Sequence, residues 1–157
     1  MTPLDLESLR AIELNLADEL NRVCRAHGLT CFLAYGSLIG ALRHGGFIPW
    51  DDDMDFVMLR DQHETLLANF DRWRSSEYFL LTSYHDGRTP FPFSEAVDVA
   101  FEGKVFTAPT RSDEFLTVQY GDWRTPPPED ARSAHVFKAF VRDGFSIEEV
   151  IAGSDVV

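Results

Sequence analysis

Four aspartates within five positions, Asp51, Asp52, Asp53 and Asp55, stand directly before the apolar run Phe56-Val57-Met58-Leu59. No other stretch restricts the fold so tightly. Asp53 and Asp55 alternate with Met54, and the run 54–59 predicts a buried strand. On a strand, residues two apart project from the same face. Two carboxylates placed together at a buried strand repel each other, and the arrangement is costly unless a divalent cation neutralises them. All-oxygen, anionic donors suit Mg²⁺ or Mn²⁺. The pattern predicts a metal-dependent site that handles phosphate.

The residues before the aspartates fit that chemistry. Gly36-Ser37 separates a predicted strand (30–35) from a predicted helix (37–44), and Gly45-Gly46-Phe47-Ile48-Pro49-Trp50 returns the chain to the aspartates. Glycine at a helix start lets backbone N–H groups approach phosphate oxygens, and the helix N-terminus favours an anion. Arg43 and His44, at the end of that helix, are the nearest cationic groups in sequence for developing negative charge. Asp98, between Val97 and Val99, is the candidate third carboxylate on a neighbouring strand, with Glu95 and Glu102 behind it; its other reading is a solvent-facing residue on an edge strand. Taken singly, each feature has an ordinary reading: a strand-to-helix connection, a solvated acidic turn or surface calcium loop, a pair of surface cations. An EF-hand is disfavoured, because the loop lacks the required glycine and distal glutamate. Ser37 has no nucleophile elbow or His/Asp partner, so its expected role is a phosphate hydrogen bond. The order strand, Gly-Ser, helix, turn, Asp-apolar-Asp favours phosphoryl or nucleotidyl transfer.

Composition sets the frame. A chain of 157 residues buries about 70% of its unfolded surface without a metal or disulfide staple, and one α+β domain over residues 1–157 is expected. Thirteen phenylalanines argue for an ordered core. The formal net charge of −12 disfavours sequence-independent contact with nucleic acid or anionic lipid. An anionic nucleotide would approach best as its metal complex. Cys24 and Cys31 form no disulfide framework or metal motif and are expected to be buried free thiols in a reducing compartment. The N-terminus has no signal-peptide pattern and no run is long enough for a membrane span, so the expected location is cytoplasmic.

Leu6, Leu9, Ile12, Leu16, Leu20 and Val23 recur at helical spacing, with Glu7, Arg10, Glu13, Asp18 and Arg22 between them, and Gly28 closes that helix. Asp61 with Glu64 reads as the capping box of another helix. Residues 78–82 read as a strand, 85–90 as a turn cluster, and 96–101 with 103–106 as a hairpin. Helices are expected at 113–119 and 133–141 on either side of the Pro126–Pro128 loop, with a short one at 147–151. His63, His85 and His135 show no ligand spacing and are expected to be surface or structural.

The run from Gly36 to Asp55 resembles the signature of the LicD family, which includes the fukutin-related proteins. Tyr120-Gly121-Asp122-Trp123 with Pro126 to Pro128, Arg132 and His135 is similar to that family's C-terminal block, so the resemblance covers about residues 30–135. It implies a compact nucleotidyltransferase-like fold, a small mixed sheet flanked by helices. It implies transfer of a phosphorylated alcohol, such as phosphocholine or ribitol phosphate, from a CDP-linked donor to a hydroxyl acceptor. It also implies that Asp53 and Asp55 bind metal, that Gly36 and Ser37 contact donor phosphates, and that Asp98 is a third acid or base. The chain departs from the pattern in having little sequence between the third strand and the C-terminal block, where the acceptor site is usually shaped. Two other readings stay open: a nucleotidyltransferase that moves NMP from an NTP, and a catalytically silent nucleotide- or metal-binding module. No feature fixes the oligomeric state.

Overall fold

The structure is a computed structural model that describes residues 2–75, 93–132, 140–141, 144, 146 and 148–149. Its first helix, α1 (Leu6–Ala26), starts where Asp5 accepts a hydrogen bond from the Ser8 N–H at 2.7 Å, and His27 caps its end. Gly28 follows with φ +68, as the sequence predicts. The helical period is right, although Leu6 and Leu16 stay exposed while Ala17, Val23 and Cys24 are buried. Glu19 is buried too, and its charge is met by Arg22 at 2.7 Å and by the Ser75 N–H at 2.6 Å.

β2 (Cys31–Leu33) leads straight into α2 (Tyr35–His44), and β3 (Phe56–Met58) into α3 (Arg60–Trp73). β4 (Ala96–Phe101) and β5 (Lys104–Pro109) form the predicted hairpin around Glu102-Gly103, and α4 (Ser112–Tyr120) follows. The four strands make one mixed sheet in the order β3-β2-β5-β4, in which β2 and β5 are parallel and the other two pairs antiparallel. A second pairing joins β1 (Thr2–Pro3) to β6 (Phe140–Val141). The architecture is therefore α+β with a small mixed sheet. None of the described helices is long and apolar enough to cross a membrane.

Phenylalanine supplies much of the core. Phe32, Phe93, Phe101, Phe106 and Phe115 are all buried, and their rings meet in tilted or edge-on pairs at 5.2–6.1 Å, which suits the aromatic quadrupole. A smaller cluster of Val23, Cys24, Cys31, Leu66 and Phe70 seals α1 against α3, with both cysteines buried and free. His27 stacks on Trp73 at 3.8 Å beside it.

Several elements differ from the sequence expectation. β3 starts at Phe56, so Asp53 and Asp55 precede the strand rather than lying within it; only the Ala34 N–H, donating to the Asp55 carbonyl at 3.0 Å, extends the ladder that far. α2 starts two residues early, at Tyr35, because the backbone turns out of β2 at that residue with φ +44. Asp61 lies within the first turn of α3 and Leu59 is the cap, because β3 ends just before it. Phe140 and Val141 are paired strand rather than helix, since Thr2 and Pro3 offer them a partner backbone. The expected strand at 78–82, the turn cluster at 85–90 and residues 133–139 lie outside the described residues, as does most of 147–151.

The turn that returns the chain from α2 to the aspartates is held from two sides. A Cβ at Gly40 would stand 2.3 Å from the Gly46 carbonyl oxygen, so the turn folds back against α2 only because that position is bare. From the hairpin, the Glu102 carboxylate accepts the Phe47 N–H at 3.0 Å, and the Glu102 N–H donates to the Gly45 carbonyl at 2.9 Å. Backbone meets backbone at Gly40, so neither side can yield by rotating a side chain. Gly40→Ala is expected to destabilise the fold by about 2 kcal/mol or more, read as a lowered urea midpoint at unchanged slope.

Candidate active site

Strand β2 delivers Ala34 in extended conformation, and Tyr35 then takes a positive φ that L-residues rarely adopt. Such strain persists only where the surroundings enforce it. Here it aims the start of α2 at the aspartates. The Gly36 N–H donates to Asp55 Oδ2 at 3.1 Å, and the Asp55 N–H donates to Ser37 Oγ at 2.6 Å. Helix start and strand start thus grip each other reciprocally. The partial positive charge of the helix N-terminus stabilises the carboxylate it faces.

Asp51 joins the same place from the turn. A Cβ on Gly36 would lie 2.7 Å from Asp51 Oδ2 and 3.5 Å from Asp55 Oδ2, so two carboxylates rest against the bare face of one glycine. Asp51, Asp52 and Asp53 each offer a carboxylate oxygen within 4.8 Å of the others. Asp52 is buried, and Asp51, Asp53 and Asp55 are half-buried. Partial burial, followed by the charges of Asp53 and Asp55, pushes the Asp51 carboxyl up to about 6, and it shares a hydrogen bond with Asp53. Carboxylates crowded in this way form a site that a hard cation fits, since the cation neutralises their charge through the same oxygens.

Three further side chains bear on the cluster that the sequence did not single out for the site, although Tyr120 lies in the family-like C-terminal block. Glu13 of α1 faces Asp52 and Asp53; burial and then the charges of those two aspartates raise its carboxyl above the usual range. Tyr120, at the end of α4, is half-exposed, and its phenol is pushed up to about 12 by partial burial and then by Asp55, Tyr35, Asp51 and Asp53. It stays protonated at neutral pH. Arg10, also on α1, binds the carbonyl oxygens of Ile48 and Asp51. Only its mixed polar face on an amphipathic helix marks α1 in the sequence, and that pattern is shared by any surface helix.

The other expected residues are placed elsewhere. Arg43 and His44 stand at the far end of α2, about 10 Å of helix from Gly36. Arg43 Nη1 donates to the Trp123 carbonyl at 2.7 Å, fixing the loop after α4, and burial lowers its pKa. His44 is exposed, and burial of its ring and then the Arg43 charge lower its pKa, which favours the neutral form. Asp98 is on β4, 62% exposed, and paired with Arg25 of α1 at 2.6 Å. The structure does not bring it to the aspartates. Glu95 and Glu102 also lie apart from them, bonded to Thr110 and Phe47 respectively. Arg132 of the C-terminal block stacks over Trp50 at 4.3 Å, next to Asp51, while His85 and His135 lie outside the described residues.

The raised Asp51 value carries a sign for stability. A carboxyl whose folded pKa of about 6 exceeds its unfolded value stabilises the fold at pH below about 4 and loses that contribution as pH rises to 6. In chelator-treated protein, Asp51→Asn should therefore match wild type near pH 4 and exceed it above pH 6. The gain is about 1 kcal/mol after allowance for solvent screening. Paired urea titrations across that range check it, and parallel curves at all pH values would contradict it.

Comparison with known proteins agrees with this geometry. The family model described as LicD/FKTN/FKRP, nucleotidyltransferase domain, matches residues 28–144. The lipopolysaccharide cholinephosphotransferase LicD of Haemophilus influenzae (strain ATCC 51907 / DSM 11121 / KW20 / Rd) is 42% identical over 64 residues, which make up 41% of this chain and 24% of that protein. The alignment thus spans about a quarter of that relative's length. With the family model matching most of its residues, and the strained turn, the Gly-Ser helix start and the aspartate cluster in place, the chain belongs to the LicD family.

Proposed function

We propose that this chain is a divalent-metal-dependent transferase that moves a phosphorylated alcohol from a nucleotide-linked donor to a hydroxyl acceptor. The observation that carries the reading is the crowding of carboxylates at the N-terminus of α2, where Asp51 and Asp55 rest against Gly36 and Asp53 lies beside Asp51. Asp53 and Asp55, with Asp51 beside them, would hold Mg²⁺ or Mn²⁺. The bound ion would neutralise charge on the donor phosphates and favour displacement at phosphorus. Gly36 and Ser37 present the first turn of α2 to an anion. The Tyr120 hydroxyl, protonated at neutral pH, can donate a hydrogen bond to a phosphate or to the acceptor.

The proton of the acceptor hydroxyl needs a base. Asp98 was the expectation, but its pairing with Arg25 points to a carboxylate that faces the cluster, Asp51 or Glu13. The relative's name makes phosphocholine the first transferred group to try, with CDP-choline as donor. The alternative is nucleotidyl transfer, which the description of the matching family domain favours. The two readings release different products: CMP in the first, pyrophosphate in the second.

Asp53→Asn combined with Asp55→Asn should abolish turnover, a loss of at least about a thousandfold, while circular dichroism stays that of wild type. Turnover of CDP-choline or CTP by the double variant at the wild-type rate would sink the metal mechanism. Product analysis on wild type then separates the readings: CMP supports phospho-alcohol transfer and pyrophosphate overturns it in favour of nucleotidyl transfer.

A further inference from the structure

The family match begins at residue 28, so α1 lies wholly before it, yet α1 is the element that braces the aspartate turn. Arg10 Nε donates to the Asp51 carbonyl oxygen at 2.9 Å, and Arg10 Nη2 donates to the same oxygen at 2.6 Å and to the Ile48 carbonyl at 2.8 Å. Its guanidinium also lies 5.1 Å from the centre of the Phe47 ring, so the head group is fixed in the plane it uses. The Asp51 N–H also donates to the Ile48 carbonyl at 2.9 Å, which closes Ile48-Pro49-Trp50-Asp51 as a β-turn. Glu13, one turn further along α1, faces Asp52 and Asp53.

A carbonyl clamp differs in effect from an ion pair. Were the guanidinium on the carboxylates, it would neutralise them and compete with a cation for the same oxygens. On the carbonyls it fixes the backbone that carries them and leaves their oxygens facing one another. Crowded carboxylates on a short turn repel, and the clamp ties the backbone of that turn to α1 against the repulsion. Partners behind a ligand set typically change metal affinity by about 10–100-fold when removed.

We infer that Arg10 is a positioning residue for the cation site: from outside the segment shared with the family, it clamps the Ile48 and Asp51 carbonyls and so sets the affinity of residues 51–53 for a divalent ion. The inference rests on the metal-dependent reading above, and it makes α1 a working part of the site rather than packing alone. Lysine at position 10 can reach one carbonyl but cannot reproduce the fork that holds two.

The test is Mn²⁺ binding by the whole chain, followed by electron paramagnetic resonance of the free ion, with no nucleotide or acceptor present. Arg10→Met should weaken Mn²⁺ about tenfold or more, and Arg10→Lys should fall between it and wild type. Arg25→Met, which removes an α1 cation bonded to Asp98, should bind as wild type. Circular dichroism and cooperative unfolding establish that each variant is folded. Folded Arg10→Met with wild-type affinity overturns the inference, as does an equal loss in Arg25→Met, which would mark a general effect of α1. If Arg10→Met does not fold, wild-type affinity in Arg10→Lys overturns it instead. Wild type that binds no Mn²⁺ overturns the metal reading and this inference together, whereas Mn²⁺ bound equally by wild type and Arg10→Met overturns the inference alone.

Discussion

Everything that resembles a site in this chain depends on one reciprocal contact, in which Gly36 donates its N–H to the Asp55 carboxylate while Asp55 donates its own N–H to the Ser37 hydroxyl. These two bonds join the first turn of α2 to the residue before β3, elements separated by a helix and a long turn. The first satisfies a backbone donor at a helix N-terminus that would otherwise need water. Together they orient a carboxylate toward a dipole that stabilises it. The Gly-Ser pair therefore serves the aspartates first; its expected contact with phosphate would use the same turn after a cation has taken over part of the negative charge.

The contact can form only because α2 is tightly framed. Its start is set by the strained Tyr35, whose ring packs edge-on against Phe115 at 5.5 Å, and α4 then carries Tyr120 toward the acids. Its end is set by Arg43, which spends a cation on the Trp123 carbonyl, and by the turn that Gly40 and Glu102 hold beneath it. The arginine expected to face phosphate thus acts in assembly. It connects α2 to the loop beyond α4, so the two segments with family-like sequence are joined by a partly buried hydrogen bond rather than by sequence proximity.

What could be read from the sequence was local. Gly36, Ser37, Asp53 and Asp55 sit in a run whose spacing alone implies a turn, a helix start and crowded carboxylates; the structure joins Gly36 and Ser37 to Asp55 and sets Asp53 with Asp51 and Asp52. The hairpin around Gly103, the amphipathic α1 and the mixed α+β architecture were legible for the same reason. Arg10 and Glu13 were not, because the polar face of a helix looks the same whether it meets solvent or a site. Tyr120 was legible only as part of the family-like C-terminal block, and its approach to the acids waits on the placing of α4. Asp98 was misjudged because β4 is exposed along most of its length, so alternation with Val97 and Val99 cannot say which neighbour claims the carboxylate; Arg25 does. The β1–β6 pair is too short to show a period at all. The strand expected to carry both aspartates begins only after Asp55, at Phe56, yet the bond from Ala34 to the Asp55 carbonyl preserves the approach of Asp55 to Gly36.

The remaining question is why a fold should keep so many acids together. Asp51, Asp52, Asp53, Asp55 and Glu13 add repulsion to a chain that already carries a net charge of −12. Burial and the neighbouring charges push the Asp51 carboxyl up to about 6, so relief through protonation is lost as pH approaches neutrality. Above that range the cluster must be held by other means: the α2 dipole at Asp55, the clamp of Arg10 on the turn, and the packing of Trp50 and Phe47 against the core. None of these neutralises the carboxylate oxygens themselves. Each fixes the backbone or one oxygen and leaves the rest of the negative field standing. A fold that only needed stability would place Arg10 on the carboxylates; this one places it on the carbonyls behind them, so that it fixes the spacing of the acids without setting its own charge on their oxygens.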